Sequence, residues 1–196
     1  MPRAEHVIEY HVVTGGGCWA AVPEHPDIAP VWVQAGDVVA FPQGDAHVLS
    51  STQGMRGEVQ LGAFETPAGT QLPLAMKLDG QGDGTKLVCG FLGCDARPFN
   101  PLLQSLPRLL HVRPGPGGGP TEAFMQFALL ETREQRVGAA GILSRLGELM
   151  FAELVRRHIE TLPEDGRGWL AGLRDRHVGR ALTLLHAEPG KEWTLE

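Results

Sequence analysis

His47 has the most constrained setting of any reactive residue in this chain. It closes Gly36-Asp37-Val38-Val39-Ala40-Phe41-Pro42-Gln43-Gly44-Asp45-Ala46-His47, a G-x5-P-x-G-x2-H pattern. Gly36-Asp37 turns the chain into a strand. Pro42 then fixes φ and Gly44 supplies a positive φ, so a second turn follows. The returning strand starts near His47, and the pattern predicts a hairpin that presents an imidazole at a fixed height. In a small barrel, alternation directs such a side chain into the lumen. Imidazole is a ligand for Zn, Ni, Cu or Fe.

The other reactive residues are less constrained. Cys18, Cys89 and Cys94 are an odd set, which fits a reducing compartment better than a disulfide framework and leaves thiol or metal chemistry as the alternative to burial. His6, His25, His111, His158, His177 and His186 have no ligand spacing with a second candidate. His158 and His186 fall near predicted helix C-termini, where the dipole favours a cation. Gly15-Gly16-Gly17 and Gly117-Gly118-Gly119 lack the strand-loop-helix frame of a phosphate loop. No serine or cysteine motif suggests a hydrolase.

The elements that must position these residues change period midway. Before about residue 95 the apolar runs are short, β-branched and roughly ten residues apart. Strands are predicted at His6–Val13, Cys18–Val22, Ala29–Val33, Val38–Phe41, Ala46–Ser50 and Lys86–Leu92, as in a sandwich or small barrel. Residues 51–85 are a glycine-rich loop with one further strand expected near Glu58–Phe64. After about residue 98 the period is helical. Asn100 caps a turn that starts at Pro101, and Leu109–Val112 is a short strand. Thr121 is the expected N-cap of a helix to Arg136. Amphipathic helices follow over Ala139–Leu162 and Trp169–His186, the last ending before Pro189-Gly190.

Composition bounds the class. With 26 glycines and 15 prolines in 196 residues, an all-helical bundle is excluded. Hydrophobic residues at 42% and charged residues at 20% support a packed core. No run approaches 18 apolar residues, so no membrane span is expected. The charged N-terminus lacks a signal-peptide core, and a cytoplasmic location is expected. Residues 1–100 carry 5 Lys/Arg against 11 Asp/Glu, and no later segment is basic enough to coat phosphates. This argues against nucleic-acid binding by the chain alone.

The G-x5-P-x-G-x2-H stretch resembles the second motif of the cupin superfamily. Of that superfamily's first motif only His11 remains, with Val13 at the second histidine position and Cys18 near the glutamate position. The order Tyr10-His11-Val12-Val13 with Cys18-Trp19, then the stretch ending at His47, then Leu87-Val88-Cys89-Gly90-Phe91, then Asn100-Pro101-Leu102-Leu103, resembles the cupin-type sensory domain of AraC-family transcription regulators. The closing Trp193-Thr194-Leu195-Glu196 is similar to the entry of that family's helix-turn-helix domain.

The resemblance implies mixed β and α structure: a cupin-like β-barrel (double-stranded β-helix) over 1–95, followed by a helical dimerisation region over 98–190. Residues 191–196 would be the start of a DNA-binding helix-turn-helix domain absent from this chain. It further implies a homodimer, a small-molecule effector in the barrel near Tyr10, Trp19 and Trp32, and a divalent metal on His11, His47 and Cys89. Zinc fits that set best, with nickel or iron as alternatives. Cys18 is a fourth-ligand or redox candidate. Regulation rather than catalysis is expected. The rival is a metal-dependent cupin enzyme, a dioxygenase or isomerase, using the same barrel.

Overall fold

The computed structural model describes residues 6–55, 84–94, 100–115, 119–134, 136–163, 166 and 168–194. The strand expected at 58–64, most of the glycine-rich loop, and Leu195 and Glu196 lie outside the described residues. Seven strands come first in the chain order, interrupted by one short helix: β1 (His6–Gly15), β2 (Gly17–Ala21), β3 (Val31–Gln34), β4 (Val38–Phe41), β5 (Val48–Ser50), β6 (Lys86–Cys94), α1 (Pro101–Ser105) and β7 (Leu110–Val112). Four helices follow: α2 (Gly119–Glu134), α3 (Ala139–Thr161), α4 (Trp169–Arg174) and α5 (Arg176–Ala187).

The strands form two antiparallel sheets, one ordered β6-β1-β4-β7 and the other β3-β2-β5. The larger sheet is covered on both faces, and its strand β4 shows why. All four residues of Val38-Val39-Ala40-Phe41 are buried. Val39 and Phe41 join Val13, Cys18, Ala20, Val22 and Val33 in the layer shared with the smaller sheet. Val38 and Ala40 join Tyr10, Val12, Leu110 and Val112 against Met125, Met150, Leu154 and Val155 of the helices. A strand buried on both faces reads as a continuous apolar run, as this one does.

The approach of β6 to β1 is set by one glycine. Gly90 pairs with Tyr10, and a Cβ at Gly90 would lie 2.2 Å from Tyr10 Cζ. The phenol therefore occupies the space a side chain would need. Gly90→Ala should destabilise the protein by about 1–3 kcal/mol through overpacking. Thermal denaturation checks this, and an unchanged melting temperature would refute it.

Three expectations are corrected. First, β4 and β5 do not form a hairpin: they belong to different sheets, and the Pro42–Ala46 connection crosses between the layers. The turn chemistry was right, with Gly36 at φ 95° and Gly44 at φ 71°. Second, Thr121 is no N-cap, because α2 already starts at Gly119; its hydroxyl is buried without a hydrogen-bond partner among the described residues. Third, the last helix is two. Asp175 interrupts it, accepting hydrogen bonds from the His177 and Val178 amides as the N-cap of α5. Asn100 does cap α1, accepting from the Leu103 amide at 3.2 Å.

Candidate metal centre

Strand β1 supplies the first histidine. Successive residues point to opposite faces, so Ile8, Tyr10 and Val12 face the helices while Glu9, His11 and Val13 face the smaller sheet. His11 is 8% exposed and is flanked in register by Cys89 of β6 and Val39 of β4. His47 lies one residue before β5. Phe41 anchors it: the two rings stack at 3.8 Å with 10° between their planes, while Phe41 meets His11 edge-on at 6.0 Å. The crossing turn is itself clamped to α1, since the Gln43 amide donates to the carbonyls of Leu103 and Leu106.

The two histidines meet through Nε2 at 2.7 Å. Glu9 Oε2 stands 3.4 Å from His47 Nε2. Glu9, His11 and His47 together offer ligand atoms within 4.8 Å of one another. Two imidazoles and one carboxylate are a donor set suited to Zn or Fe. Glu9 is exposed at the rim while His11 is buried, so the cluster opens to solvent on the carboxylate side.

Hydrogen bonds define how the rings are oriented. His47 Nδ1 faces the Asp45 carbonyl at 3.1 Å, so it carries the proton there and turns Nε2 toward His11. Asp45 is held in turn by Arg108 at 2.5 Å and His25 at 3.4 Å. His11 Nδ1 is 2.9 Å from Cys89 Sγ. Burial pushes the Cys89 thiol up, with the charges of Glu9 and Cys18 adding to the effect. Burial and then the neighbouring His47 lower His11 to about 4. One chain of donors satisfies all of this. The Cys89 thiol donates to His11 Nδ1, His11 Nε2–H donates to His47 Nε2, and His47 Nδ1–H donates to the Asp45 carbonyl.

The remaining predicted residues fall in three places. Cys89 touches His11 but on Nδ1, the nitrogen turned away from His47. Cys18 is buried between the sheets, and burial pushes its thiol up. Burial thus works against a reactive thiolate at Cys18, whereas Cys89, raised in the same direction, is exposed. Trp19 and Trp32 pair across β2 and β3, with centroids 5.6 Å apart at 70°, and line an open cleft to which neither His11 nor His47 contributes. Tyr10 is not with them; it packs on the helix side of the larger sheet. Sequence reasoning missed Glu9. Its signal was the i, i+2 spacing to His11 on one strand, which places both side chains on one face.

The cupin family profile matches residues 1–160. Among curated proteins, an AraC-like transcription regulator of Streptomyces antibioticus is 29% identical over 93% of this chain and 65% of its own length. The HTH-type transcriptional regulator AlkR of Acinetobacter baylyi is 28% identical over 83% of this chain and 54% of its own length. The HTH-type transcriptional regulator MtrA of Neisseria gonorrhoeae is 23% identical over 95% of this chain and 58% of its own length. The chain therefore spans about half to two thirds of these relatives, which are named as regulators rather than enzymes. No solved structure gives a significant match. Among the described residues no helix is long and apolar enough to cross a membrane.

Proposed function

The chain belongs to the cupin family, and from that premise we propose that it is the effector-sensing regulatory domain of an AraC-type transcription regulator. One observation carries the sensing role: Glu9 and His11 of β1 meet His47, from 36 residues on, at one solvent-reached point. The signal is a divalent cation, zinc before iron or nickel, held by those three side chains. A bound cation would supply a fixed charge that ties β1 to the β4–β5 crossing. Because that crossing is clamped to α1 through Gln43, tightening it biases the barrel against the helical region. A ligand that prefers one arrangement of the two then shifts the population of a DNA reader joined to the helices. The setting is cytoplasmic.

The chain's own residues prepare this. To present both Nε2 lone pairs, His11 must carry its proton on Nδ1, where the Cys89 sulfur accepts it. Cys89 thereby supports His11 from behind, as outer partners of ligating histidines do. Elemental analysis after dialysis against zinc tests the proposal. One zinc per chain is expected for the parent and none for His47→Ala; a metal-free parent would reject it.

Dimerisation belongs to the same reading. In α3, Met150 packs into the core while its neighbour Leu149 is 50% exposed and Ile142 is 37% exposed. Phe127 and Leu130 of α2 are exposed as well. Apolar surface left uncovered in this way marks a contact. Light scattering at micromolar concentration should give twice the 21.1 kDa chain mass, and a clean monomer would reject the homodimer.

A further inference from the structure

A second feature shares no residue with the histidine cluster. It lies around the turn from β3 into β4 and the end of β7. A cleft of about 460 Å³ opens there, lined by Trp19, Trp32, Gln34, Asp37, His111 and Arg113 among others. That volume lies in the range of small-molecule sites.

Each wall is held in place. The Trp32 ring lies over Gly17, where an added Cβ would be 2.7 Å from Trp32 Cζ2, so the indole rests on bare backbone. Trp19 meets it edge-to-face. Trp32 is nonetheless 44% exposed, a large aromatic face kept open rather than packed away. On the other side Asp37 is buried and engaged: it accepts from the Gln34 amide at 3.2 Å and pairs with His111 Nε2 at 2.9 Å. Both contacts fall on the same carboxylate oxygen, Oδ2. Arg113 is exposed and has no carboxylate partner among the described residues. Pro114, next in the chain, lies 3.1 Å from where a Cβ of Gly36 would stand, which sets the Arg113 backbone close to the β3–β4 turn.

We propose that this cleft binds a planar aromatic carboxylate, with the ring against Trp32 and Trp19 and the carboxylate on the Arg113 guanidinium. Aromatic rings stack on indole by offset or edge contacts. Guanidinium holds carboxylate through paired, charge-assisted hydrogen bonds. The inference adds an organic effector to the reading above and does not depend on the metal.

Isothermal titration calorimetry of the 196-residue chain with 2-naphthoate tests it. Saturable binding is expected for 2-naphthoate, and none for acetate, which lacks the ring. Arg113→Gln should weaken 2-naphthoate roughly tenfold, the loss expected for a charged hydrogen-bond partner, while leaving its neutral amide unaffected. Trp32→Ala should weaken both compounds. No saturable heat with 2-naphthoate, or equal affinity in parent and both variants, would overturn the proposal. Zinc uptake measured in parallel separates the two sites. Loss of 2-naphthoate binding with zinc retained rejects the cleft alone, and the converse rejects the metal alone.

Discussion

Adding zinc to the metal-free chain is expected to raise its melting temperature by roughly 5–10 °C. At a free concentration a hundred times the dissociation constant, a ligand that binds only the folded state stabilises it by about 2.7 kcal/mol. A domain of this size gains roughly 2–4 °C per kcal/mol. His47→Ala should abolish the rise, because only Glu9 and His11 remain of the cluster. Cys89→Ser decides between two roles for the thiol. The sulfur meets His11 on Nδ1, so it should act as a support, and zinc should still bind with affinity lowered about 10–100-fold. Complete loss of zinc from Cys89→Ser would make Cys89 a ligand and require the His11 ring to turn over. A parent protein whose melting temperature ignores zinc would end the metal proposal.

The second large effect is acid sensitivity without metal. His11 titrates at about 4 in the folded chain, below the usual 6.5, because burial and His47 both oppose its charge. The unfolded chain therefore takes up a proton between pH 6.5 and about 4 that the native chain refuses. Stability is whole above pH 6.5 and is lost as pH falls through that window. The full loss is roughly 3 kcal/mol. Burial lowers His158 as well, which adds in the same direction. Urea denaturation of the parent and of His11→Asn between pH 7.5 and 4.5 isolates the His11 share. The parent should weaken more steeply than the variant. Parallel curves would show that His11 carries its charge in the folded state after all.

The sequence by itself determined the order of parts. Short β-branched runs, the turns at Gly36 and Gly44, the capped start of α1 and the long α3 were all legible. Each rests on local physics, since alternation, a positive φ or a cap needs only neighbouring residues. His11 and His47 were legible as a pair only through their resemblance to a family, because 36 residues separate them. Tertiary structure decided what no local rule contains. Proline and glycine specify that a turn occurs at 42–44, but not that the next strand leaves for the other sheet. That choice depends on which strand edges are still unpaired, and it makes His47 a bridge between layers rather than the end of a hairpin. It also decided that Glu9 joins the histidines and that Cys89 meets the far nitrogen of His11, because ring orientation follows from hydrogen bonds to the distant partners Cys89 and His47. Tyr10 shows the same limit. Its neighbours on β1 face the smaller sheet, yet with helices on the opposite face a strand residue can be buried on either side, and alternation alone cannot say which side holds the ligand.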